Sequence, residues 1–301
     1  MVDVLAQRHP SLAHFTWGQR TYVMGILNVT PDSFSGDGLL LAGEAVPLHR
    51  GVTAAAVAQA RQFVAEGADI LDIGGESTRP GSAPVTAAVE MARILPVIQA
   101  VRAAVDVPIS VDTYRAEVAA AALAAGADWI NDVWGLRMDP EMAGVAAQAG
   151  CPIILMHNRS QPKDVAQAAR LGGRYVGVAY DDLVVDVRRE LATAVEAAVA
   201  AGISPHHILI DPGLGFGKTV SQSIQLLNEL HRFRDLGYPI LIGPSRKSFI
   251  GYTLDLPPDD RLEGTAAAVA IGIARGADIV RVHDVRAMTR VARMTDRIVR
   301  G

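Results

Sequence analysis

Short apolar segments alternate with longer alanine-rich segments along most of the chain. The apolar segments have the length of strands and end in polar residues, whereas the alanine-rich segments have the length of helices. Near-continuous apolar strands that alternate with amphipathic helices are typical of a parallel sheet buried on both faces. We count eight such units, whose strands are predicted at residues 22–27, 70–73, 108–111, 129–130, 152–156, 208–210, 239–242 and 279–282.

The tripeptide Gly-Ala-Asp recurs at three predicted helix-to-strand joints, at residues 67–69, 126–128 and 276–278. Glycine can take the left-handed conformation that ends a helix, so the repetition marks one recurring unit of strand and helix. Eight units predict an α/β fold, a single (β/α)8 TIM barrel, with function on the loops that follow the strands. A doubly wound open sheet is the alternative, because periodicity does not prove closure.

Two connections are too long for ordinary strand-to-helix loops, at residues 29–52 after the first strand and at residues 74–84 after the second. Long loops in compact domains are usually lids or binding loops, and both are predicted over the same end of the barrel. No linker separates two halves, so residues 21–301 are predicted to form one barrel domain. Residues 1–20 are expected to be an extension that could form a small hairpin at the barrel bottom.

Composition narrows the functional classes. Half of the residues are hydrophobic and 20% are charged, which suits a large aliphatic core and excludes disorder. A net charge of −4 provides no positive field for nucleic acid or an anionic membrane, so neither partner is expected. The apolar runs are too short for a membrane span, and we see no export signal. The single cysteine, Cys151, lies in an apolar run and fits a reducing cytoplasm.

Polar residues follow most of the predicted strands. In a barrel these positions converge on one small volume, which makes the set more informative than its members. Taken singly, each residue has a structural alternative, such as a helix cap or a turn. The set consists of Asn28, Asp112, Asn131, Asp211, Lys247, Arg281 and His283.

Two kinds of ligand chemistry are indicated by this set. The loops after the last two strands, residues 245–248 and 281–283, carry a guanidinium, an ammonium, an imidazole and hydroxyl groups, which suit an anion with several oxygens. The alternative for Arg281 is an ion pair with Asp284. Asp112 and Asp211 with Asn131 suit a planar, nitrogen-rich ring, because carboxylates accept from its N–H groups and an amide both donates and accepts.

The glycine-rich segment 213–219 invites a nucleotide-binding interpretation that fails on spacing. A P-loop requires a glycine separated by four residues from the Gly-Lys pair, a position at which the chain has Pro212. The glycines more plausibly let the backbone approach a flat ligand, with Phe216 as an aromatic wall; a flexible turn is the alternative. The eight histidines are scattered, without the spacing of a zinc site.

Taken together, eight segments resemble the dihydropteroate synthase family of folate biosynthesis. No single segment is specific, but the set appears in the family's order and covers the chain from about residue 21 to residue 300. The chain departs from the family pattern after Ser35, where the first loop is extended, and at residues 158–163. The matching segments are residues 25–35, 72–81, 110–113, 131–132, 155–157, 211–218, 245–251 and 281–285.

The resemblance implies an enzyme that condenses 6-hydroxymethyl-7,8-dihydropterin diphosphate with 4-aminobenzoate, releasing diphosphate in a dissociative substitution assisted by Mg²⁺. It implies that Asp112, Asn131, Asp211 and Lys247 hold the pterin, that Met156 lines its slot and that Asn28 ligates Mg²⁺. It also assigns Thr78, Arg281 and His283 to the diphosphate, Ser248 to the aminobenzoate carboxylate, and Phe34, Pro80 and Phe216 to its ring. Arg79 and Gly215 are further substrate-binding candidates, and the candidate catalytic residues are Asp112, Asp211, Lys247, Arg281 and His283.

The resemblance also implies a cytoplasmic homodimer built from barrel helices. Three alternatives are kept open. The chain could be a pterin-binding paralogue without catalysis, or the pterin-binding barrel of a corrinoid methyltransferase that uses methyltetrahydrofolate. An unrelated phosphate-binding barrel such as an aldolase is the third, although Lys218 and Lys247 are better explained as ligand contacts than as Schiff-base lysines.

Overall fold

The computed structural model describes residues 9–30, 50–77, 82, 84–160, 165–176 and 178–301. Within these ranges the strands alternate with helices along the chain as the sequence predicts. The strands are β1 Tyr22–Asn28, β2 Ile70–Gly74, β3 Ile109–Asp112, β4 Trp129–Asp132, β5 Ile153–Met156, β6 Val165–Ala168, β7 Gly172–Tyr175, β8 Ile208–Asp211, β9 Leu241–Ile242 and β10 Ile279–Val282.

Helices cover the outside of the sheet. The first begins at Arg50, within the predicted first loop, whose residues 31–49 lie outside the described part of the chain. Three short 3-10 helices also occur, at Pro10–Leu12, Pro205–His207 and Leu230–Leu236. The α-helices are α1 Arg50–Glu66, α2 Ala87–Arg102, α3 Ala116–Ala124, α4 Met142–Ala149, α5 Leu183–Ala200, α6 Val220–Asn228, α7 Ser248–Leu254, α8 Leu262–Ala274 and α9 Val285–Val299.

Eight strands form one parallel sheet in the order β8-β5-β4-β3-β2-β1-β10-β9. Its two outer strands meet through a single parallel bridge between Ile210 and Ile240, where the Ile210 N–H donates to the Pro239 carbonyl at 3.0 Å. The sheet therefore closes into the predicted TIM barrel, and the open-sheet alternative is wrong. The remaining strands, β6 and β7, form an antiparallel hairpin after β5 that the sequence pattern does not reveal.

Side chains at alternate strand positions fill the barrel in two layers. A lower layer of apolar side chains occupies one set of inward positions, including Met24, Ile70, Trp129 and Leu209. Two residues further along the same strands, most of the inward positions carry polar side chains. Because strand side chains alternate with a period of two, the strand that supplies a core residue also supplies a functional one. The upper layer contains Ile26, Asp72, Asn131, Met156, Asp211 and Arg281.

The Gly-Ala-Asp repeats connect neighbouring strands at the lower end of the barrel. Each glycine has a positive φ of 103–111°, as expected at a helix end. Each aspartate, at positions 69, 128 and 278, accepts a hydrogen bond of 2.8–2.9 Å from a backbone N–H near the start of an adjacent strand. The repeated carboxylate therefore fixes the start of one strand beside the next. The three backbone donors are Val23, Ile109 and Ile240.

The N-terminal segment closes the lower end of the barrel. Residues 1–8 lie outside the described part of the chain, and residues 9–20 contain a 3-10 helix and turns without a strand. The hairpin expected there is therefore not found in the described part of the segment. Leu12 and Phe15 are buried against the lower layer, and Ser11 accepts a hydrogen bond of 2.7 Å from the indole N–H of Trp129. Across the described ranges, no helix combines the length and apolar character that a membrane crossing requires.

Candidate active site

Arg281 lies at the centre of a buried charge cluster at the carboxyl ends of the strands. Its Nε donates to Asp72 Oδ2 at 2.5 Å, and its Nη2 donates to Asp112 Oδ2 at 2.7 Å. The Asn131 amide also donates to Asp72 Oδ2, at 3.1 Å. The cluster thus joins strands β2, β3, β4 and β10. The alternative pairing of Arg281 with Asp284 is wrong, because Arg246 binds that carboxylate.

Asp112 faces both the guanidinium and a second carboxylate. Burial raises the pKa of Asp112 to about 7; the Arg281 charge opposes this shift, and the Asp72 charge adds to it. Asp112 can therefore take up a proton near neutral pH. The other oxygen of Asp72, Oδ1, is buried and has no hydrogen-bond partner among the described residues, so the cluster has an acceptor that can still bind a donor.

Asp211, the last residue of β8, and Lys247, which follows β9, attract each other across the junction of these two strands. Asp211 Oδ1 accepts the Gly213 N–H at 2.7 Å. Burial raises the pKa of Asp211, while the Lys247 charge opposes the shift. Burial also lowers the pKa of Lys247 to about 8, against the attraction of Asp211. Lys247 Nζ donates to the Leu214 carbonyl and can therefore be redirected to a ligand acceptor.

Gly215 and Phe216 lie against the Lys247 side chain. A Cβ atom on Gly215 would be 3.1 Å from Lys247 Cδ, and its φ of +77° also favours glycine. The Phe216 ring centroid is 4.3 Å from Lys247 Nζ, a cation-π contact. Both contacts are to Lys247; the predicted approach of this backbone to a flat ligand, with Phe216 as an aromatic wall, stays a prediction.

The predicted anion side is built from the segments that follow β9 and β10. His283 Nδ1 lies 3.0 Å from Ser245 Oγ, and the same hydroxyl accepts the His283 N–H at 3.2 Å. Ser248 is the first residue of α7, directly after Lys247. The structure therefore brings His283, Ser245 and Lys247 to the barrel end that carries Arg281.

Asn28 occupies the last position of β1, paired in register with Gly74 of β2. It is half-buried and shares the inward parity of Met24. No group of three histidine, cysteine or acidic side chains is arranged to hold a metal within the described ranges. A single amide oxygen does suit Mg²⁺, which keeps several waters and takes further oxygens from substrate phosphates.

Four of the sequence-predicted site residues, Phe34, Thr78, Arg79 and Pro80, lie outside the described residues. Met156 ends β5 at the inward position beside Asp211 in the β5-β8 ladder. Asp72 was missed as a site residue, although its position two residues after inward-facing Ile70 could have revealed it. His157 and Lys218 were also not predicted as a buried pair, because their contact joins loops that are 61 residues apart.

Comparisons with known proteins agree with this geometry. A family model described as "Pterin binding enzyme" matches residues 24–283. The dihydropteroate synthase of Bacillus subtilis (strain 168) is 45% identical over 295 residues, which cover 98% of this chain and 94% of that protein. The dihydropteroate synthase of Synechocystis sp. is 48% identical over 287 residues, covering 95% of this chain and 93% of that protein.

Solved structures of similar sequence have the same fold. A Clostridium difficile dihydropteroate synthase structure with pteroic acid has a TM-score of 0.84 and 44% identity, covering 95% of this chain and all of that chain. A Xanthomonas albilineans dihydropteroate synthase with 4-aminobenzoic acid has a TM-score of 0.80 and 41% identity, covering 93% of each chain. Its complex with 7,8-dihydropteroate has a TM-score of 0.77 and 39% identity, covering 93% of this chain and 94% of that chain.

Proposed function

The chain belongs to the dihydropteroate synthase family of pterin-binding enzymes, and we propose that the polar upper layer of its barrel is the active site. The enzyme is a transferase that joins 6-hydroxymethyl-7,8-dihydropterin diphosphate to 4-aminobenzoate, giving 7,8-dihydropteroate and diphosphate. One observation carries the site assignment. Asp112 and Asp211 are both buried on inward positions of the same barrel end, with a guanidinium and an ammonium beside them.

The pterin is assigned to the space between these carboxylates. Asp112, Asp211 and Asn131 supply acceptors and a donor for the ring nitrogens, and Lys247 supplies a donor for a ring acceptor. Met156, at the end of β5, lines the slot between Asn131 and Asp211. A buried site is suited to this task because hydrogen bonds to the flat ring are not exposed to competition from water.

Binding of the ring requires a change in the hydrogen bonds of Arg281. In the free protein Asp112 accepts from Arg281 Nη2. When Asp112 accepts from the pterin instead, Arg281 can keep Asp72 through Nε and turn its Nη atoms toward the diphosphate. Arg281, His283 and Thr78 then stabilise the negative charge that develops on the leaving group. Thr78 enters this assignment from the resemblance alone.

The reaction proposed is a dissociative substitution. The bond between the methylene carbon and the diphosphate oxygen breaks, and its electron pair leaves with the diphosphate. The positive charge left on the methylene is spread over the pterin, which Asp112 and Asp211 flank. The arylamine nitrogen then attacks the methylene and loses one N–H proton to water, so no covalent enzyme intermediate is needed. Phe216 with Phe34 and Pro80 would hold the aminobenzoate ring, and Ser248 its carboxylate. Arg79 and Gly215 complete the substrate-binding set.

Catalysis is tested by incubating the protein with the pterin diphosphate, 4-aminobenzoate and Mg²⁺ and measuring both products. A synthase forms dihydropteroate and diphosphate in equal amounts. A non-catalytic paralogue binds the pterin and forms neither product. A corrinoid methyltransferase barrel binds methyltetrahydrofolate and also forms neither dihydropteroate nor diphosphate. The absence of both products would therefore contradict the proposal. The anion-binding set of Arg281, His283 and Ser248 favours the synthase over both alternatives.

Asn28 is the residue proposed to hold Mg²⁺. When bound, the metal neutralises charge on the diphosphate oxygens. We expect Asn28→Ala to raise the Mg²⁺ concentration that gives half-maximal rate about tenfold, because the metal loses the oxygen ligand that Asn28 provides. Binding of 6-hydroxymethylpterin, which lacks the diphosphate, should be unchanged in calorimetry. A loss of affinity for this pterin would instead place Asn28 in the ring pocket.

We also propose that the protein is a homodimer that works in the cytoplasm. The neighbouring helices α8 and α9 expose Ile271, Met294 and Ile298, which are 48%, 62% and 70% accessible. Such a group of exposed apolar side chains favours burial against a second copy. Light scattering should give twice the chain mass, and Met294→Asp should give the chain mass at micromolar concentration. Ile224→Asp, on exposed α6, is the control and should remain dimeric.

A further inference from the structure

A buried lysine outside the reaction just described connects two loops of the active site. Lys218 is only 2% exposed, which is unusual for a lysine without a specific role. Its Nζ lies 2.9 Å from the Phe216 carbonyl, 3.2 Å from the His157 carbonyl and 3.0 Å from His157 Nδ1. Burial lowers the pKa of Lys218, against the attraction of Asp211; its charged form has three N–H donors, which these three acceptors satisfy completely.

Glu190 fixes the orientation of the His157 ring. His157 Nε2 lies 2.9 Å from Glu190 Oε2, and an ionised carboxylate can only accept. Nε2 therefore carries the imidazole proton, and the lone pair of Nδ1 faces Lys218. Burial and, next, the Lys218 charge lower the pKa of His157 to about 4, against the opposing effect of Glu190, so the ring is neutral at neutral pH. Arg159 Nε donates to the same glutamate at 3.0 Å.

The two loops joined by Lys218 lie in direct contact. A Cβ atom on Gly213 would be 2.0 Å from the His157 carbonyl oxygen, and one on Gly217 would be 2.5 Å from Ser160 N. Both glycines also have positive φ angles, so no other residue fits the backbone there. The segment from Gly213 to Gly217 therefore lies directly on the segment that follows β5, and Lys218 holds the two together.

Phe216 is the link from this contact to the substrates. Its carbonyl accepts from Lys218, while its ring faces Lys247 in the active site. Asp211 is held by the β8 ladder and the Gly213 N–H, and the charge of Lys218 also opposes the rise that burial causes in its pKa. On the basis of the proposed synthase function, we propose that Lys218, fixed by His157 and Glu190, is a positioning residue that places Phe216 against the aminobenzoate ring. The set acts on the second substrate and leaves pterin binding largely unaffected.

The test uses Lys218→Met and Glu190→Gln in the full-length protein. Either change weakens the support of the Phe216 carbonyl, and we expect the KM for 4-aminobenzoate to rise about tenfold or more, as for loss of a charged hydrogen bond. In Glu190→Gln, which keeps the Lys218 charge that acts on Asp211, the Kd of the pterin diphosphate, measured by calorimetry without aminobenzoate, should stay within about threefold of the wild-type value. If Lys218→Met does not fold, Glu190→Gln carries the test.

Glu229→Gln is the matched control, because Glu229 is 28% exposed and paired with an arginine, while Glu190 is 29% exposed and also paired with one. The control should change neither the KM for 4-aminobenzoate nor the Kd of the pterin diphosphate. An unchanged KM for aminobenzoate in both test variants would overturn the proposal. An equal rise in KM and pterin Kd would also overturn it, because it would indicate general loosening of the barrel. Absence of synthase activity in the wild-type protein is a separate result that contradicts the proposed function itself.

Discussion

Replacing Arg281 with alanine is expected to lower kcat by about 10²–10³-fold, the usual loss when a preorganised donor to developing charge is removed. The Kd of the pterin diphosphate should change by less than about tenfold. Two effects oppose each other in binding. The variant loses a contact with the diphosphate, but it also leaves Asp112 free of the guanidinium that occupies it in the unliganded protein. Single-turnover kinetics and calorimetry measure the two quantities separately.

Loss of stability must be separated from this effect, because removal of a buried charge leaves its partners unpaired. Arg102→Ala is a suitable control, since Arg102 forms a part-buried pair of 2.9 Å with Asp128 at the lower end of the barrel. It should lower the melting temperature without lowering kcat. An Arg281→Ala enzyme with wild-type kcat would contradict the role of Arg281 in leaving-group departure. A raised pterin Kd with an unchanged kcat would instead show that Arg281 binds the ground state and the transition state equally.

Replacing Asp112 with asparagine is expected to stabilise the free protein at pH 8 while weakening pterin binding about 100-fold. The pKa of Asp112 is raised to about 7 in the folded protein, mainly by burial. The unfolded chain therefore ionises this group at lower pH, and the carboxyl group disfavours folding increasingly as pH rises from about 4 to about 7. The neutral amide does not ionise and keeps an acceptor for Arg281. The free energy of unfolding of the variant should therefore exceed that of the wild-type protein by on the order of 2 kcal/mol above pH 7.

Thermal unfolding between pH 4 and pH 9 measures this difference. The gain in stability should reach its full size above pH 7. It should vanish near pH 4, where Asp112 is protonated in both the folded and the unfolded wild-type chain. Asp139→Asn is the control, because Asp139 uses one oxygen for the Ala116 N–H at 2.8 Å and the other for the Glu141 N–H at 3.0 Å. An amide has only one acceptor oxygen, so this variant should be less stable. Stabilisation of both variants would contradict the explanation given for Asp112.

The barrel and most of its polar positions could be predicted because they are encoded locally. Each strand is a short apolar run, and the inward parity that buries Trp129 also brings Asn131 inward. The same parity in β2 buries Ile70 and brings Asp72 inward, so the sequence pattern could have identified Asp72 as a site residue. It was overlooked because its strand continues past it to Gly74, whereas Asn28, Asp112 and Asp211 end their strands.

Pairings between distant residues could not be predicted in the same way. Arg281 binds Asp72 across 209 residues, and Lys218 binds His157 across 61. Which partner a long charged side chain selects depends on packing that no local pattern records. The hairpin of β6 and β7 was missed because its side chains are only partly buried, so it lacks a clear alternation of apolar and polar residues.

The single bridge between Ile210 and Ile240 has a consequence for exchange of backbone hydrogens with solvent. A junction with so few hydrogen bonds opens locally at lower free energy than a full ladder, so deuterium should enter there earliest among the barrel strands. Asp211 lies on one side of this junction and Lys247 on the other. A pterin bound to both side chains would stabilise the junction against local opening and slow deuterium uptake at Ile210. Substrate binding would therefore stabilise the closed barrel.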